Sequence, residues 1–149
     1  MMAESESESL PKDSVIASLQ KTLLKAALLG ETLPGGSRPL RLSDLDFILR
    51  HEHIYLSDEN LAGDISVEGL PKPLRVMSRE ELQKQAEAEG DLAYLHFRPA
   101  EAVGGGVRLT LEGKLAASAQ PLGLSSVQVK FRDAGGHWES FDDPVAMAS

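Results

Sequence analysis

The sequence predicts an α+β domain in which N-terminal helices pack on a C-terminal four-stranded antiparallel meander. Three observations carry that expectation. Apolar residues recur at helical spacing between Lys12 and Leu29. Ser78-Arg79-Glu80-Glu81 has the form of a capping box, a hydroxyl at the cap with a carboxylate three residues on. From Asp91 onward the hydrophobic period changes to two, as strands with one apolar and one solvated face require.

Met1 to Ser9 reads MMAESESES, which has no apolar surface to bury, so residues 1–10 are expected to form a disordered acidic tail. Ser5, with Glu8 three residues on, resembles a phosphorylation site, although a solvating arm is the simpler account of the composition. A single domain is expected over 11–142. Its first helix takes a cap from Asp13 or Ser9, tolerates Pro11 in the first turn, and stops at Gly30. Val15, Ile16, Leu19, Leu23, Ala26 and Ala27 form its stripe, which Leu24 and Leu28 widen toward a second neighbour.

Leu33 to Pro39 is a loop around Pro34-Gly35-Gly36. Arg41 to Leu56 fits either state. Ser43 with Asp46 suggests a capped short helix bearing Leu45, Ile48 and Leu49, and His53 to Leu56 suggests a strand, so the expected order is helix then strand. A turn at Asp58–Gly63, a brief edge strand at Asp64–Val67, a stiff Leu70–Pro73 connector and a strand at Leu74–Met77 follow. The capped helix then runs to Glu89 and ends at Gly90, with Leu82 and Ala86 as its only apolar contacts. Leu92–Phe97, Val107–Leu115, Ser126–Arg132 and His137–Phe141 read as the meander strands, with a hairpin turn at Asp133–Gly136. Residues 143–149 are expected to fray.

Over about residues 12–141 this order of elements resembles the cone-shaped α+β folds of the nuclear-transport-factor-2-like kind, in which helices cover the concave face of a bent sheet. A cystatin-like sheet wrapped on one helix is similar in the same respect. Both resemblances rest on element order, and neither implies a functional residue.

Composition narrows the functional classes. Acidic residues outnumber Lys and Arg by 23 to 15, a formal charge of −8 concentrated in the first two thirds, which opposes nucleic-acid and anionic-membrane partners. Aromatics at 5% leave few platforms for stacking bases. With no cysteine, disulfides, thiol catalysis and thiolate metal sites are excluded. The N-terminus lacks the pattern of a signal peptide, and the longest apolar run, Ala26–Leu29, is too short to span a bilayer, so a cytoplasmic protein is expected.

Few residues suggest chemistry. His51 and His53 would share a face only in an extended segment, and no third metal ligand is fixed by the sequence, so neither a metal nor another cofactor is expected. Tyr94 and His96 lie on one face of a strand and, with Trp138, are candidates for lining a ligand pocket. Asp44, Asp46, Asp64 or Asp91 would be an acid/base partner for that histidine. Gly104-Gly105-Gly106 leads into a strand rather than a helix, which suits a hairpin and not a phosphate cradle. Arg108, Lys130 and Arg132 form a modest basic set among acids. Glu80, Glu81, Glu87, Glu89 and Asp91 cluster on one sparsely apolar helix and are candidates for steering a basic protein partner. The expected function is therefore non-enzymatic protein–protein interaction, as adaptor, inhibitor or structural subunit, with a homodimer through a sheet edge as one form. The alternative is a small-ligand-binding cone-shaped domain, or an enzyme using His96.

Overall fold

The computed structural model describes residues 10–40, 42, 45–116 and 122–148. Helix α1 (Asp13–Leu29) follows the apolar stripe: Ile16, Leu19, Leu23, Leu24, Ala26, Ala27 and Leu28 are all buried. Gly30, at φ 68°, closes it in the left-handed conformation and returns its N–H to the carbonyl of Ala26. The expected side-chain cap is absent at Asp13, which is already helical, and Lys12 stands at the cap without a side-chain bond. Asp13 instead places its charge at the positive end of the helix dipole. Ser9, the other cap candidate, lies outside the described residues, as does the tail before it.

Helix then strand is the order found in the ambiguous stretch, as α2 (Leu45–Leu49) and β1 (Ile54–Ser57). The capping box expected from Ser43 falls outside the described residues. Further along come β2 (Leu74–Met77), α3 (Arg79–Glu89), β3 (Leu92–Phe97), β4 (Glu101–Val103), β5 (Gly106–Ala116), β6 (Leu122–Asp133) and β7 (Trp138–Ala148). The capping box of α3 is complete: Ser78 Oγ accepts the N–H of Glu81, and Glu81 Oε1 accepts the N–H of Ser78.

The α+β class holds, but the sheet is larger than a four-stranded meander. It is a seven-stranded mixed sheet in the order β2-β1-β3-β5-β6-β7, with β4 also on β5. β4 continues the line of β3 beyond Pro99, and β5, β6 and β7 follow antiparallel. β1 lies parallel to both β2 and β3. The crossover through α3 brings the chain back to the same end of the sheet, which a tight hairpin cannot do. Periodicity conceals such strands. All four residues of β1 and all six of β3 are buried, so they carry no alternation to read.

Two further expectations are corrected. Asp64–Val67 forms no strand: it lies in the β1–β2 connection, where Ile65 is buried against the core beneath α1. Of the stretch expected to fray, Ser149 lies outside the described residues, and residues 143–148 belong to β7, which pairs with β6 as far as Ser125↔Ala148. Its alternation is broken by an irregular register between Gln128 and Lys130, with Asp142 at φ 57° and Pro144 after it, and a bulge of this kind hides a strand from a period-two reading.

Alternation along β3 shows how the layers stack. Ala93, Leu95 and Phe97 join the large core with α1, while Leu92 and Tyr94 pack with Leu82 and Ala86 of α3. Successive strand residues point to opposite faces, so α1 and α3 cover opposite sides of the sheet. A cone covered by helices on its concave face would put both on one side. Here α3 spends its short apolar stripe on the second face, over β2, β1, β3 and the Ala116 end of β5.

A buried amide ties the α1 face together. Gln20 is 1% exposed; its Nε2 donates to the carbonyl of Asn60 at 2.8 Å and its Oε1 accepts the N–H of Ala62 at 3.0 Å. Asn60 in turn donates from Nδ2 to the carbonyl of Phe97 at 2.8 Å. Helix, β1–β2 connection and β3 are thereby held in one network.

Candidate functional site

The outer face of the sheet, the one that α3 covers in part, collects most of the residues singled out by sequence. Cross-strand register sets Tyr94 beside Lys114 and His96 beside Glu112. Tyr94 is buried with Tyr55, Met77 and Leu82, and burial pushes its hydroxyl pKa up. His96 is 9% exposed. Burial above all, then the charge of Lys114, holds its pKa below the ordinary 6.5, against the opposing pull of Glu112 and Glu59. The group is therefore neutral near neutral pH and has a carboxylate across the ladder. The larger clefts open elsewhere.

Trp138 does not join this pair. It lies on the α1 side, partly buried against the large core, where with Phe131, Pro34, Val15 and Leu19 it borders a cleft of about 260 Å³. The expected pocket set thus divides between the two faces of the sheet.

Beyond α3 no helix among the described residues covers the outer face. Thr110, Gln128 and Val145 form one cross-strand row, Arg108, Lys130 and Phe141 another, and Ser126 with Met147 a third. The basic set is balanced by acids: Arg108 pairs with Glu101 at 3.0 Å, Lys130 with Asp142 at 2.6 Å, and Arg132 with Glu139 at 3.6 Å. Lys130 and Arg132 each lie 5.3 Å from the centre of the Phe141 ring. Val145 and Met147, 51% and 47% exposed, stand at the rim of this face on the edge strand. Sequence reasoning missed both. The apolar run Val145-Ala146-Met147 was the available signal, obscured by Pro144 before it.

No family model, curated protein or solved structure matches this chain. The remaining candidates are therefore placed by geometry alone. On α3, Glu81 is committed to the capping box, where the hydrogen bonds from Ser78 lower its pKa. Glu80, Lys84 and Glu87 follow each other at helical spacing on the outward side, so a cation sits between two of the acids. Glu89 and Asp91 are exposed around Gly90 at the far end. The five carboxylates make a dispersed acidic surface rather than one focused patch.

His51 and His53 are likewise engaged locally. His51 Nε2 accepts the N–H of Ala93 at 3.0 Å, and both rings lie about 6 Å from that of Tyr55. A metal at Nε2 of His51 would have to displace that bond. Among the described residues no group of three or more His, Cys, Asp or Glu is placed to hold a metal ion. No helix among them is long and apolar enough to cross a membrane.

Proposed function

We propose that this chain is a protein-binding domain whose partner docks on the uncovered half of the outer sheet face. The observation that carries this reading is the exposure of Val145 and Met147, 51% and 47%, side by side on β7. The interior supports it: Leu23, Leu24, Phe97 and Phe131 are fully buried, which leaves the α1 side of the sheet filled rather than hollow. His96, at 9% exposure, offers a substrate little access. The test is chemical cross-linking in extract of the native host, with wild type, Val145→Asp/Met147→Asp and His96→Ala compared. A specific adduct lost in the double variant and kept in His96→Ala supports the reading. Retention of the adduct in the double variant, or a turnover activity lost in His96→Ala, overturns it.

One observation favours a second reading, a small-molecule site. A cleft of about 490 Å³ opens between the 33–40 loop and β7, with Leu33, Leu40 and Val127 as apolar lining and Arg38, Asp143 and the Lys130-paired Asp142 as charged lining. Neither Arg38 nor Asp143 has an ion-pair partner among the described residues. Opposite charges over an apolar floor suit a small zwitterion. Thermal stabilisation by free amino acids, absent in Arg38→Ala, would establish this site.

A further inference from the structure

The opposite edge of the sheet carries a separate set of features. β2 ends the sheet there. β1 bonds to it through the carbonyls of Pro73 and Met77, which accept the N–H groups of Ile54 and Asp58. Backbone groups alternate sides along a strand, so Arg75 also turns toward β1, while Leu74 and Val76 turn their N–H and C=O groups outward, where the sheet stops. The other edge is guarded. On β7 the carbonyl of Pro34 accepts the N–H of Ser140, Asp142 adopts a positive φ, and Pro144 interrupts the strand. β2 has no proline or irregular register along its four residues, and Val76 is 41% exposed.

Beside that edge, on the α1 side, lies a cleft of about 550 Å³. Leu61, Ala62, Ile65 and Val76 give it an apolar floor, and Asp58 and Asp64 stand on its border. Both carboxylates are exposed and have no ion-pair partner among the described residues. A strand added to β2 would satisfy the outward groups of Leu74 and Val76 and send alternate side chains into this cleft. Its chemistry follows from the lining: an apolar residue over Ile65 and Val76, with cations near it for Asp58 and Asp64. A second copy of this chain is disfavoured, because it would bring the same two carboxylates and a net charge of −8 to the contact.

We infer that the β2 edge binds an extended segment of another protein, with an apolar residue flanked within two positions by Lys or Arg. This goes beyond the docking face at β7 and is independent of it, since the variants below leave Val145 and Met147 untouched.

The test selects short random peptides displayed on phage against the full chain, then measures the enriched peptides by fluorescence anisotropy. Enriched sequences should alternate apolar and basic residues. Their affinity should fall at least about tenfold in Val76→Pro, which removes an outward N–H and none of the β1 ladder. It should fall as far in Asp58→Lys/Asp64→Lys, with a weaker salt dependence. The charge variant alters only exposed side chains and so decides the matter even if the proline variant unfolds. Failure to enrich basic–apolar sequences would overturn the inference, as would binding unchanged within about twofold in the charge variant. A dimer in sedimentation that Val76→Pro abolishes would assign the edge to a second copy and overturn it too.

Discussion

His51 Nε2 accepts the backbone N–H of Ala93 at 3.0 Å, so a side chain ahead of β1 holds the start of the neighbouring strand β3. The bond needs an unprotonated nitrogen. Burial, then the charges of Arg50 and Lys72, hold the His51 pKa below 6.5, and burial does the same to His96. The unfolded chain therefore takes up protons at a higher pH than the folded one. Stability from these groups is intact above 6.5 and declines as pH falls below it, until the folded-state histidines also protonate. The melting temperature should be lower at about pH 5.5 than at about pH 7.5. His51→Gln, whose side-chain carbonyl accepts the same N–H, should shrink that difference without abolishing it, because His96 remains.

Replacing Gln20 by Leu should destabilise the domain by about 1–3 kcal/mol, since the variant leaves the carbonyl of Asn60 and the N–H of Ala62 without their buried partner. Denaturant titration gives the energy. Faster hydrogen exchange at the Ala62 amide would show that the β1–β2 connection has loosened.

The triple glycine separates two roles. A Cβ on Gly106 would lie 1.9 Å from the carbonyl oxygen of Phe131, whereas one on Gly104 would meet nothing within 4 Å. Gly106→Ala should force β5 and β6 apart and destabilise by about 1–3 kcal/mol. Gly104→Ala should stay within about 0.5 kcal/mol of wild type in the same thermal or denaturant melts.

Ser78→Ala removes the hydroxyl that accepts the Glu81 N–H and should cost about 1 kcal/mol of helix stability. Ser78→Asp, which restores an acceptor, should recover most of the loss in a denaturant melt.

Local signals in the sequence read well. The α1 stripe, the Ser78 box, the turn at Asp133–Gly136 and the alternation of Val107 to Glu112 each depend on neighbours a few residues apart, and each appears in the structure. Parallel pairing of Leu56 with Leu95 and of Ile54 with Leu74 joins residues far apart in sequence, and β1 and β3, buried on both faces, show no burial alternation that would reveal it. The site was less legible still. Tyr94 and His96 were correctly read as sharing a face, but which face Trp138 takes depends on the β6–β7 register. Exposure of Val145, Met147 and Val76 depends on which strands end the sheet, a property of the whole topology.

The Gln20 network and the packing of α1 also bear on how the chain is made. The helix is synthesised ahead of much of its core: Phe97, Leu109, Val129 and Phe131 are made some 70 to 120 residues later. Until then its stripe has only the earlier part of that core, from Leu33 to Ile65, to lie against. The hairpins β4–β5 and β6–β7 join near neighbours, so their pairing needs no contact with the helix made before them. A nascent chain halted before β5 would display Leu23, Leu24 and Leu28 to the solvent, a ready substrate for a holding chaperone.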